Sequence, residues 1–240
     1  MNRSSCLRAG LAAMACCVCA GSFAGNLDQI GTLAQSQFLK LSTDLGAAAA
    51  YKGVTPATPL GLTGFDIGVE ATQTQLENTA IFRQAGAGDV DNLYIPKLHI
   101  TKGLPFNVDI GAFVSQVSGV GGSLFGAELR YALLDDGIAS PALAVRLSGT
   151  TLSGVSHLDL STWALDAMLS KKLTFVTPYI GAGGVRTRSR ASVANLQEET
   201  ISKSRVFMGV NANFLLANFA VEAEKLGDNT SLSAKVGFRF

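Results

Sequence analysis

From residue 62 to the C-terminus, apolar and polar positions alternate with a period of two, segment after segment. In 62–75, Phe65, Ile67, Val69 and Ala71 alternate with Asp66, Gly68, Glu70 and Thr72. In 122–134, Phe125, Ala127, Leu129, Tyr131 and Leu133 oppose Gly126, Glu128 and Arg130. The last segment sets Leu232, Ala234, Val236, Phe238 and Phe240 against Ser231, Ser233, Lys235 and Arg239. Side chains of a strand point alternately to its two faces, so each pattern predicts a strand with one apolar face. The same reading places strands over 92–102, 105–117, 140–151, 156–170, 173–188, 202–215 and 218–226, ten in all. Ahead of them, Leu27, Ile30, Ala34, Phe38, Leu41 and Leu45 recur at spacings of three and four. This predicts an amphipathic helix over 26–45, with Asn26 able to cap its start. The helix can plug a barrel lumen or lie against its periplasmic rim.

The connections add polarity to the picture. Short ones at 102–104, 135–137, 171–172 and 216–217 alternate with longer or more polar ones at 76–91, 118–121, 152–155, 189–201 and 227–230. Membrane barrels join their strands by short periplasmic turns and longer external loops. Residues 46–52 could form a further strand, and Pro56 and Pro59 mark 55–61 as a connection. Counting 46–52 gives eleven strands, an odd number that bacterial single-chain barrels avoid. Ten is therefore expected, with twelve as the alternative.

Composition separates a membrane barrel from a soluble sandwich. Hydrophobic residues make up 48% of the chain and charged residues only 15%, against about 25% charge in an ordinary soluble domain. A sandwich would need a charged outer face. No segment after the N-terminus reaches the apolar length of a spanning helix, and a closed barrel is the other structure that satisfies its backbone in lipid. The net charge of +1 gives no case for nucleic acid as a partner. The N-terminus itself reads as a signal peptide, residues 1–24: Arg3 and Arg8, an apolar run from Ala9 to about Ala20, and Ser22-Phe23-Ala24 before a cut at Gly25. The alternative is an N-terminal membrane anchor. All four cysteines (Cys6, Cys16, Cys17, Cys19) fall within this segment, so the remaining chain has no disulfide or thiolate site. Neither Cys16 nor Cys19 is preceded by the leucine of a lipoprotein site.

Val236-Gly237-Phe238-Arg239-Phe240 resembles the C-terminal signal of bacterial outer-membrane proteins, an alternating strand ending in an aromatic. The resemblance implies that Val236, Phe238 and Phe240 form an assembly signal, read by the barrel-assembly machinery. Asp44-Leu45-Gly46-Ala47, Pro56 to Gly61 and Gly64 to Glu70 are similar to the opening of a group of uncharacterised proteobacterial outer-membrane barrel proteins. That implies an outer-membrane location in a Gram-negative cell and a transmembrane barrel, with outer-membrane lipids as partners, and no particular solute.

Candidate chemistry is sparse. His157 and Asp159 share a face near an external loop and could couple as acid and base, but neither histidine is followed two residues later by the serine of the lipid A deacylase pattern. His99 is expected to face the lumen. Gly119 to Gly122 lacks the lysine and helix of a phosphate loop, and no His, Cys, Asp and Glu spacing suggests a metal. No cofactor is implied. The inward charges are more informative: by alternation Asp66, Glu70, Lys97, Asp109, Glu128, Arg130, Arg146, Asp166, Arg205, Glu222, Glu224, Lys235 and Arg239 face the lumen. A basic residue in mid-bilayer costs roughly 2–4 kcal/mol, so the lumen is the cheaper place. Glu222 and Glu224 are expected beside Lys235 and Arg239 across the last hairpin. The expectation is thus an all-β transmembrane antiparallel barrel over 62–240, preceded by a helix and linker at 25–61. It would be non-enzymatic: a structural barrel filled by paired charges, or a narrow channel or binder for small solutes. The alternatives are a lipid- or peptide-modifying enzyme and a surface adhesin using loops 76–91 and 189–201.

Overall fold

The computed structural model describes residues 27–117, 122–138, 140–155 and 157–240. Residues 1–24, expected to be a signal peptide, Asn26 and most of Gly119 to Gly122 lie outside the described residues. Ten strands form one closed antiparallel barrel in meander order. They are β1 (Phe65–Gln75), β2 (Asn92–Leu104), β3 (Val108–Val117), β4 (Gly122–Leu134), β5 (Ala142–Val155), β6 (Leu158–Ser170), β7 (Val176–Ala191), β8 (Glu199–Phe214), β9 (Ala217–Leu226) and β10 (Asn229–Arg239). Closure leaves no sheet edge, so every strand has a partner on both sides. The seam pairs β1 with β10 from Asp66↔Arg239 to Thr74↔Ser231. The terminal residue extends it: Phe65 and Phe240 exchange backbone hydrogen bonds of 2.7 and 3.0 Å, and their rings stack 5.7 Å apart.

The alternation becomes inside and outside. In β4, Gly122, Leu124, Gly126, Glu128, Arg130 and Ala132 are buried and their neighbours exposed. Outward positions such as Val69, Leu98, Phe125, Trp163, Leu165, Met208, Val221 and Phe238 are large, apolar and exposed around the wall. An apolar exterior on a barrel with a polar interior inverts the soluble arrangement and suits hydrocarbon.

Three expectations are corrected. Residues 46–52 do not form a strand: the helix α1 runs Gln35–Ala49, later than expected, and residues 50–60 follow it as an irregular segment through the lumen. The cause lies at its C-terminal end, where Lys52 Nζ donates to the carbonyls of Ala47 at 2.8 Å and Ala50 at 3.4 Å, satisfying groups a helix end leaves open. Before α1, Leu27 to Leu33 hold only a single 3₁₀ turn, Ile30–Thr32. Loop lengths differ too. β5 and β6 leave only residues 156–157 between them, while 135–141 is a seven-residue turn at the opposite end. The long-loop end is thus defined mainly by 76–91, which carries the short helix α2 (Thr79–Gln84), and by 192–198.

Candidate functional site: a filled lumen

The interior holds two layers, and the N-terminal segment runs through both. At the long-loop end, Phe38, Leu41 and Leu45 of α1 are buried with Leu93, Ile95, Leu124, Leu152 and Leu160 of the wall and Phe82 of α2. Each such side chain contributes roughly 1.5–3 kcal/mol when withdrawn from water. A residual apolar cavity of about 20 Å³ lies between Leu27, Leu45, Leu93 and Leu152. Polar contacts fix the height of the helix. Ser42 Oγ lies 2.8 Å from Ser189 Oγ, Asp44 accepts from the backbone of Asn78 at 2.8 Å and from Asn229 at 2.9 Å, and Gln35 pairs twice with Gln197. The start of the segment therefore sits beneath the long loops, and the chain descends from there to β1.

Below the apolar layer lies a charged one, and it contains all thirteen inward positions read from the alternation. Twelve of them are buried, and Arg239 is nearly so. They fall into linked groups. Lys97 donates to Glu70 at 2.5 Å. Arg130 pairs with Asp109 at 2.6 Å and donates to Thr55 of the plug at 2.5 Å. Glu128 stands 3.9 Å from both Arg130 and Arg146. Asp166 joins Arg146, at 3.0 Å, to Arg205, whose guanidinium also reaches Glu224 at 3.3 Å and the backbone carbonyl of Tyr51 at 2.7 Å. Lys235 and Arg239 share Asp66, at 3.0 and 2.6 Å.

The glutamates of β9 do not meet the cations of β10. Register sets Glu222 opposite Ser233 and Glu224 opposite Ser231, while Lys235 faces Ala220 on that side and Glu70 on the other. Glu222 instead accepts from the Tyr179 hydroxyl at 2.9 Å. Glu224 takes Lys52, 3.3 Å away, as a partner. Lys52 was missed from the sequence, and it balances the ledger of charge. The wall set has seven carboxylates (Asp66, Glu70, Asp109, Glu128, Asp166, Glu222, Glu224) and six cations (Lys97, Arg130, Arg146, Arg205, Lys235, Arg239), and Lys52 is the seventh cation. Its only signal in the sequence is a lone charge after the run Ala47 to Tyr51.

Tyr51, wholly buried, hydrogen-bonds His99 Nε2 at 2.8 Å and packs on Phe113 at 5.3 Å between ring centroids. His99 therefore faces the plug. Gly53 lies against Arg146 so closely that a Cβ there would collide with the guanidinium. His157 and Asp159 are both exposed at the long-loop end, and no hydrogen bond or ion pair joins them. Among the described residues no group of His, Cys, Asp and Glu is placed to hold a metal. Val236 and Phe238 lie on β10, with Phe238 outward and exposed, and Phe240 closes the seam.

No protein-family model and no curated protein sequence matches this chain. Solved structures similar to it are membrane barrels. The N-terminal β-barrel domain of Pseudomonas aeruginosa OprF aligns at 14% identity with a TM-score of 0.38, over 75% of this chain and 99% of that one. The KdgM porin in complex with disordered oligogalacturonate aligns at 8% identity with a TM-score of 0.38, over 73% and 99%. Ail, the attachment invasion locus protein of Yersinia pestis, in complex with the heparin analogue sucrose octasulfate, aligns at 13% identity with a TM-score of 0.29, over 74% and 97%. These are likenesses to the barrel as a type, and what this barrel does follows from its own residues.

Proposed function

We propose that the chain is an integral barrel of the bacterial outer membrane, non-enzymatic, whose lumen is closed by its own N-terminal segment. One observation carries this reading: Tyr51, Lys52, Val54 and Thr55 are wholly buried inside the ring of wall charges. A polar path for solutes needs water beside those charges. Here all of them but Glu222 pair with one another or with the plug, and Glu222 accepts from the Tyr179 hydroxyl, beneath an apolar layer. Removing the plug would strip Glu224 and Arg205 of partners and expose Phe113, so the closed state is the resting one. The signal segment and the terminal Phe240 support delivery to the outer membrane, with β10 as the strand the assembly machinery reads. The exposed apolar wall supports insertion in its lipids.

Two measurements test the reading. Cell fractionation places the protein in outer membranes, migrating faster on gels before boiling than after, as a folded barrel does. Liposomes loaded with the protein do not swell in small sugars or amino acids. Recovery from the soluble periplasm, or rapid swelling, contradicts it.

A further inference from the structure

Among the described residues, one cation on the strands of the outer wall, Arg186, has no hydrogen-bond or ion-pair partner. On β7 the outward positions from Val176 to Gly184 are apolar or glycine, and from Arg186 onward they are arginines. An apolar band about 25 Å tall occupies roughly ten residues of a tilted strand. Counted from Val176, it ends at Arg186, the level of the lipid headgroups. Above it, Arg188 pairs with Glu198 at 3.0 Å, and Glu198 also lies 3.9 Å from Arg190. Among the described residues Arg186 has no carboxylate partner. Its neighbours in register are Trp163 on β6 and Ser202 on β8. Other outward cations differ: Lys225 donates to the Asp228 carbonyl, and Lys102 to those of Leu62 and Gly64.

Below this level the wall is grooved on both sides of Trp163, which is 63% exposed. One groove runs past Leu165 and Gly184 up to Arg186 itself. A Cβ at Gly184 would meet no heavy atom nearer than 3.9 Å, so that floor is open. The other groove runs between Phe125, Leu147 and Gly149. An unpaired guanidinium above two apolar slots is complementary to an anionic head on hydrocarbon chains. Hydroxyls at Ser161, Ser202 and Ser204 stand on the same outward face and can donate to phosphate oxygens. A second copy packed symmetrically on this face would bring Arg186 against Arg186.

We propose that the outer wall between Trp163 and Arg186 is a binding site for a phosphate-bearing lipid, with the phosphate on Arg186 and the acyl chains in the grooves beside Trp163. This rests on the membrane reading above and adds a ligand to it. Trp163 is the chain's sole tryptophan, so its fluorescence reports the site directly. The full exported chain in nonionic micelles is titrated with phosphatidic acid, with diacylglycerol of the same chains, and with inorganic phosphate. Phosphatidic acid is expected to give a saturable change that the other two do not. Arg186→Gln should weaken it by roughly tenfold or more, as loss of a charge-assisted hydrogen bond does. Arg186→Lys should retain most of it, and Lys225→Gln all of it. Equal responses to phosphatidic acid and diacylglycerol, or an unchanged Arg186→Gln titration, overturn the site. An equal response to inorganic phosphate overturns the lipid as its occupant. Folded migration of the same samples separates the two levels: a chain that does not fold in micelles refutes the membrane reading and the site with it, whereas a folded chain blind to the phosphate refutes the site alone.

Discussion

Asp166 accepts from Arg146 and Arg205 at once, and all three side chains are fully buried. Taking its charge away leaves two guanidiniums in a dry interior, Arg146 with only Glu128 at 3.9 Å and Arg205 with Glu224 at 3.3 Å, a carboxylate already shared with Lys52. Asp166→Ala is therefore expected to cost roughly 3–5 kcal/mol, the range for breaking a buried pair, read from urea unfolding out of lipid vesicles. A loss below about 1 kcal/mol, as for exposed pairs, would mean that water already fills this layer. Gly53→Ala tests the packing of the plug on the same group: the added methyl meets the Arg146 guanidinium, and overpacking of this kind costs roughly 1–3 kcal/mol. At this scale the sequence was half legible. Parity alone placed Asp66, Glu128, Arg146 and Asp166 on one side of their strands, because the period of a strand is two. Who pairs with whom depends on the stagger between strands, which parity does not contain. Parity thus suggests Glu222 and Glu224 as partners of Lys235 and Arg239, whereas Arg239 stands opposite Asp66 and Lys235, opposite Glu70 in register, reaches the same Asp66.

The N-terminal element shows the same division between pattern and context. Spacings of three and four marked Phe38, Leu41 and Leu45 as one stripe, and those residues form the apolar contact with the wall. The alanines that follow carry no periodicity, and although alanine favours helix over strand, propensity alone does not say where the helix ends. Lys52 closes the helix end while reaching Glu224. The position of α1 inside the barrel can be fixed covalently, since no cysteine occurs after Cys19. Ser42 and Ser189 hold their hydroxyls 2.8 Å apart, so Ser42→Cys with Ser189→Cys should oxidise to a disulfide in the folded barrel. The exposed Ser36 changed to Cys with the same Ser189→Cys should not. A helix lying on the rim would give the opposite ranking. Lys52→Met removes the cap and the ion pair together, and is expected to make a cysteine at position 42 reactive to thiol reagents.

For the whole molecule, ten strands, one barrel and an apolar exterior were legible because the same weak signal recurred along the chain and low charge excluded a soluble sandwich. That the lumen is filled was not, since an amphipathic helix ahead of a barrel fits a plug and a rim equally well. Only the closed ring of strands shows that residues 41–57 occupy the inside, with the apolar layer toward the long loops and the charged layer beneath. In the proposed resting state this barrel is shut by its own N-terminal segment. Single-channel recording in planar bilayers tests it most directly. The intact chain and the oxidised Ser42→Cys, Ser189→Cys form should both give no conductance steps, whereas a chain lacking residues 27–60 should give them in salt of any kind. Steady conductance through the disulfide-locked protein would mean that the segment does not close the lumen.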